Sequence, residues 1–190
     1  MSPIYLIMVA VSLCIFTVYN TVAIGIFGMS TSLSDTLYLY QSKKKGLGYI
    51  FSAMMYTMAG TLMTAWLAIS DAMPGWERNL TFLAFFAAAA IMFVGTAPAF
   101  RNIGLENKVH MIAAKSCAVF AIAWCAIVRW RIMYIIPIAI GLAWLIGWLL
   151  RNHTNENRDW KRCSDYIWEL AAFIATFATV ITQCNILMVQ

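Results

Sequence analysis

With 190 residues, 63% of them hydrophobic and 11% charged, the chain departs far from the soluble balance of about half apolar and about a quarter charged. Its formal charge of +5 does not mark a nucleic-acid binder, because the basic residues sit in short connections between apolar blocks and form no groove-lining pattern with exposed aromatics. The composition excludes an ordinary water-soluble fold and predicts a single domain, an all-α polytopic membrane bundle.

Six apolar blocks follow in chain order at 3–28, 49–70, 79–99, 109–128, 132–150 and 166–188. Each approaches the roughly 20 residues a helix needs to cross a hydrocarbon core with its backbone hydrogen bonds satisfied internally. The first lacks a basic leader and is too long for a signal-peptide core, so it reads as a retained helix. It carries Thr17, Asn20 and Thr21 in its second half. The connection 30–48 has Leu33, Leu37 and Tyr40 at helical spacing before Lys43, Lys44 and Lys45. That pattern predicts a short interfacial helix whose lysines serve as an ordinary positive-inside anchor, with attachment to anionic head groups as the alternative and Asp35 suited to cap it.

The second block presents Ala53, Thr57, Gly60, Thr61 and Thr64 on one face, a composition that permits close helix approach. Pro74 and Gly75 end the connection 71–75 as a turn. In the fourth block, His110 stands near the start and Lys115 lies two turns in, on nearly the same face as Lys108. Only residues 129–131 divide the fourth and fifth blocks, so one long helix bent near Pro137, giving five spans, is the structural alternative.

The last block holds the clearest pattern. Asp165, Glu169, Ala172, Thr176, Thr179 and Gln183 recur at spacings of four and three and fall on one face. At 1.5 Å per residue, Glu169 to Gln183 covers roughly 21 Å, most of a hydrocarbon core. Such a stripe lines a pathway, or it packs against neighbouring helices.

Lys and Arg in the connections orient the bundle. Lys43, Lys44, Lys45, Arg101, Lys108, Arg151, Arg158, Lys161 and Arg162 share one side, against Arg78, Arg129 and Arg131 on the other. The richer side is expected in the cytoplasm of a cell membrane, with both termini outside.

The five cysteines, Cys14, Cys117, Cys125, Cys163 and Cys184, show no CxxC spacing or Cys/His clustering, so neither a metal site nor a disulfide is expected. No cofactor motif is present, and no residue set identifies a catalytic group. The leading expectation is a channel or transporter for an ion or small polar solute. Asn20, Thr57, Thr61, Thr64, Thr176, Thr179 and Gln183 would line its pathway, and a Lys115–Glu169 ion pair would gate it. Asp35, Arg101, Lys108, His110 and Asp165 would surround the cytoplasmic mouth. Six short spans enclose little volume, so membrane lipids and either further copies of the chain or another membrane protein are the expected partners. The alternatives are a lipid head-group enzyme built on His110, Lys115, Asp35 and Glu169, and a non-catalytic subunit or sensor.

Overall fold

The computed structural model describes residues 1–97, 104–129, 138 and 164–189, and the protein is all-helical. Six α-helices are described: α1 (Ile4–Phe27), α2 (Thr36–Lys43), α3 (Tyr49–Asp71), α4 (Thr81–Thr96), α5 (Leu105–Arg129) and α6 (Ser164–Val189), with a 3-10 turn at Gly75–Leu80 leading into α4. Five segments are long and apolar enough to cross a membrane, namely α1, α3, α4 together with the 3-10 turn before it (Gly75–Thr96), α5 and α6. Their exposed faces agree with a lipid environment: Ile7, Val18 and Ile26 on α1, Phe82, Phe86 and Phe93 on α4, and Ile112 and Val119 on α5 point outward, an apolar surface that water would not tolerate. The chain has the character of an integral membrane protein. The block at 132–150 apart from residue 138, the 129–131 connection beyond Arg129, and Cys163 lie outside the described residues.

α1 packs on α3, α3 on α4 and α4 on α5, while α6 closes the bundle against α5, α1 and α3. The α3–α4 contact is tight at Gly95. A Cβ on Gly95 would stand 2.9 Å from Met55 Cβ, well inside the ordinary 3.5–4.0 Å carbon contact, so only glycine permits this helix separation. The alanines of α4, including Ala84, Ala87 and Ala88, are fully buried and extend the tight seam. Trp66 of α3 meets Trp124 of α5 edge to face at 5.3 Å and 86°, a favoured aromatic geometry. Trp124 Nε1–H donates to Ser70 Oγ at 3.0 Å.

α1 ends at Gly28, whose φ of 74° lies where an L side chain is strained. The chain then turns back into the protein. Ser30, Leu33, Ser34, Asp35 and Thr36 are buried, and so are Leu37 and Tyr40 of α2. The expected interfacial helix thus exists, but its apolar face covers the bundle rather than a lipid surface. Asp35 occupies the N-cap position without a side-chain capping bond; its own N–H instead donates to Ser32 Oγ at 3.2 Å.

The end of the bundle that holds this segment also holds the starts of α5 and α6. His110 reaches Ser34, and Tyr166 N–H donates to Thr31 O at 3.1 Å. At the opposite end, Arg129 Nε donates to Gln183 Oε1 at 3.1 Å, and the Met1 ammonium donates to Leu187 O at 3.4 Å. There the 71–75 turn forms as its proline and glycine dictate, with Gly75 at φ 75°.

Candidate functional site

A partly enclosed, largely apolar cavity of about 80 Å³ lies inside the bundle. A water requires roughly 10–15 Å³ on this measure, so the space holds roughly five to eight water-sized groups. α3 contributes Met55, Leu62 and Trp66, α4 contributes Ile91 and Val94, and small residues of α5 (Ala114, Ala118, Ala121) leave the room. α6 supplies Glu169, Ala172, Phe173 and Thr176, and the returning segment closes the cavity with Leu33 and Ser34. From Met55 to Trp66 the cavity follows α3 for roughly 16 Å.

Glu169 is half-buried, and its Oε2 accepts the Leu33 backbone N–H at 2.5 Å. It is one of several holds on the 31–36 segment. His110 is 2% exposed and bridges Ala97 O through Nδ1 at 2.8 Å and Ser34 Oγ through Nε2 at 2.9 Å. Because a carbonyl only accepts, Nδ1 carries the proton of the neutral ring, and Nε2 then accepts from the Ser34 hydroxyl. Thr36 Oγ1 donates to Leu33 O at 2.5 Å, which leaves it to accept from Tyr19 OH at 2.6 Å. Tyr166 OH donates to Asn20 Oδ1 at 2.7 Å, and Asn20 Nδ2 donates to Phe16 O at 2.7 Å. α1, α5 and α6 therefore all clasp one buried polar segment, as a low-dielectric interior requires of its backbone groups.

The α6 stripe faces inward over most of its length. Asp165 is exposed at its start, Glu169 and Thr176 line the cavity, and Thr179 and Gln183 are buried beyond it. Thr176 and Thr179 donate to Ala172 O and Ala175 O, each at 2.8 Å, so their hydroxyl protons are already engaged. Thr61 meets Ser12 at the α1–α3 contact. Thr57 and Thr64 are exposed on the outer face of α3 and donate to Ala53 O at 2.8 Å and Gly60 O at 3.0 Å. Neither Thr57, Thr64 nor Asn20 borders the internal cavity.

Lys115 does not meet Glu169. Among the described residues the one ion pair is Arg78 with Asp71, at 3.0 Å. Lys115 lies on the exposed face of α5 between Ile112 and Val119, a turn away on either side. Lys108 is also exposed, and Arg101 is outside the described residues. Of the four residues of the head-group reading, Lys115 points away, while His110 and Glu169 bond to Ser34 and Leu33, next to Asp35 in the chain. No group of three His, Cys, Asp or Glu side chains gathers as a metal site among the described residues.

The sequence reading had not singled out Tyr19, Ser34, Trp66 or Tyr166. Two of them carried a signal: Tyr19 and Tyr166 place hydroxyls well inside or at the start of apolar helices, where each requires a partner. No protein-family model, curated protein or solved structure matches the chain.

Proposed function

We propose that the chain is a membrane transport protein for a small solute, with Glu169 acting as the latch of a plug formed by residues 31–36. The observation that carries this reading is the Glu169 bond to Leu33 N–H, since both residues also line the internal cavity. Releasing that bond loosens the segment at the cavity's end, while its other holds and the α6 side chains behind it stay in place. The apolar lining favours a solute with an apolar body over a hydrated ion, a change from the polar pathway of the sequence reading.

Six spans fit the ends of the described helices. α5 finishes where Arg129 meets Gln183, and α6 starts at the far end where Tyr166 meets Thr31. The 19 residues of 132–150 would cover roughly 28 Å as a helix, enough to return the chain across a hydrocarbon core. In this arrangement the plug end, with Lys43, Lys44 and Lys45, faces the cytoplasm of a cell membrane. The outward Ala53, Thr57, Gly60 and Thr64 face supports contact between copies of the chain. A Cβ on Gly60 would meet nothing within 4 Å, so its smallness serves no contact within the described protein.

Proteoliposome uptake of a panel of small ions, amines and alcohols tests the function. Protein-dependent uptake of at least one solute is expected, altered by Glu169→Gln and unaffected by Lys115→Met, whose ammonium lies on the outer face. Absence of uptake across the panel, or uptake indifferent to Glu169→Gln, refutes the latch.

A further inference from the structure

A second space lies on the outside of the bundle, between α1 and α3. The two helices run antiparallel there, with the Tyr19 and Phe51 rings 6.4 Å apart and Ser12 meeting Thr61. Small side chains at Cys14, Ala53 and Thr57 leave an open, apolar groove of about 510 Å³ between them. From Val22 to Cys14 the groove follows α1 for roughly 12 Å, away from the end that holds the plug. At the plug end its wall passes to Tyr40 of α2 and Ile50 of α3. The chain between those two residues carries Lys43, Lys44 and Lys45, all exposed. Their turn is firmly folded. Lys44 N–H donates to Tyr40 O at 3.3 Å and Leu47 N–H to Lys44 O at 3.1 Å, and Gly46 takes a φ of 97°. A Cβ on Gly48 would stand 2.6 Å from Gln41 Cγ, so the end of the turn packs against α2. Among the described residues no ion pair engages these lysines. Before Asp71 the one acidic residue of the chain is Asp35, at the other end of α2.

We infer that the groove and the basic turn together form a site for one anionic phospholipid, with an acyl chain in the groove and the phosphate against Lys43, Lys44 and Lys45. The site goes beyond the transport reading and does not depend on it. The groove by itself selects no lipid, because every tail is as apolar as the wall it touches. The lysines supply the selection, each favouring an anionic head group by about fivefold. A turn already folded onto α2 loses little further freedom when the phosphate arrives. Gly60 and Thr64 do not border the groove, so a second copy on that part of α3 leaves it open.

The test is native mass spectrometry of the full chain titrated with dioleoylphosphatidylglycerol or dioleoylphosphatidylcholine, which share their acyl chains and differ in charge. The first phosphatidylglycerol is expected to be held more than about tenfold more tightly than the first phosphatidylcholine. Lys44→Gln should lower that preference about fivefold, and replacing all three lysines by glutamine should remove it. These side chains are exposed, so the variants should keep the parent's circular dichroism. Lys108→Gln, exposed on α5 at the same end of the bundle, should leave the preference unchanged. Ala53→Trp fills the groove and should weaken the first binding of both lipids. Equal affinity of the parent for the two lipids overturns the inference, as does an unchanged preference in the triple variant. An equal loss in Lys108→Gln also overturns it, by reducing the effect to net charge. Unchanged lipid binding in Ala53→Trp removes the groove from the site, and a smaller particle in that variant would then assign the groove to a second copy of the chain.

Discussion

Replacing Glu169 gives a graded measure of the plug's attachment. Leu33 is 2% exposed, and its backbone N–H donates to the Glu169 carboxyl. Glu169→Ala leaves that N–H buried and bare, at a cost of about 1–3 kcal/mol. Glu169→Gln keeps an sp² oxygen on a side chain of the same length, so the loss should stay at or below about 1 kcal/mol. The remaining holds at Ser34, Thr36 and Thr31 keep the segment folded in both variants, so the effect should appear as local opening rather than global unfolding. Amide hydrogen exchange in nanodiscs reads this directly. For Glu169→Ala, Leu33 protection should fall about fivefold to more than a hundredfold, since each 1.4 kcal/mol is a factor of ten. For Glu169→Gln it should fall about fivefold at most, with the α3–α4 seam unchanged in either case. Equal protection at Leu33 in the parent and Glu169→Ala would show that this bond does not hold the plug.

The two glycines of the α3 neighbourhood should respond with opposite signs. Gly95→Ala pushes a methyl to 2.9 Å from Met55 Cβ, an overpacking cost of about 1–3 kcal/mol offset by about 1 kcal/mol of helix propensity, so a net loss of up to about 2 kcal/mol is expected in reversible detergent unfolding. Gly60→Ala meets nothing within 4 Å and should be neutral or stabilising by up to about 1 kcal/mol. Gly60→Leu should leave the far-ultraviolet circular dichroism intact while lowering the mass of the detergent-solubilised particle by light scattering; an unchanged mass removes the outer α3 face as a contact between copies. Tyr166→Phe strips the donor from buried Asn20 Oδ1 and should destabilise by about 1–3 kcal/mol, and adding Asn20→Ala should cost less than the sum of the single changes.

The membrane-spanning helices were legible because their cause is local. An apolar run of the right length is required by the thickness of the hydrocarbon core, and the α6 stripe shows a period that belongs to one helix. What periodicity does not supply is the direction in which a face points. Thr57 and Thr64 share a stripe yet lie outside, because each hydroxyl is satisfied by its own helix and needs no neighbour. Lys115 shares a face with Lys108, and that face is the exposed one. The plug was harder to read for a different reason. A stretch rich in Ser and Thr resembles a solvated connection, and the partners that make its burial tolerable are Tyr19, His110, Tyr166 and Glu169, drawn from three helices. No local window contains both halves of those bonds.

The bond between Leu33 and Glu169 joins residues 136 positions apart. At about 5–20 residues per second of synthesis, the ribosome completes the carboxyl partner roughly 7–27 s after the amide it will accept. Throughout that interval the 31–36 segment has no access to either Tyr166 or Glu169. The first four described spans therefore supply only the Tyr19 and His110 holds on that segment. Arrival of α6 adds the Tyr166 and Glu169 bonds, so the clasp on this short stretch closes only when the last described helix joins the bundle.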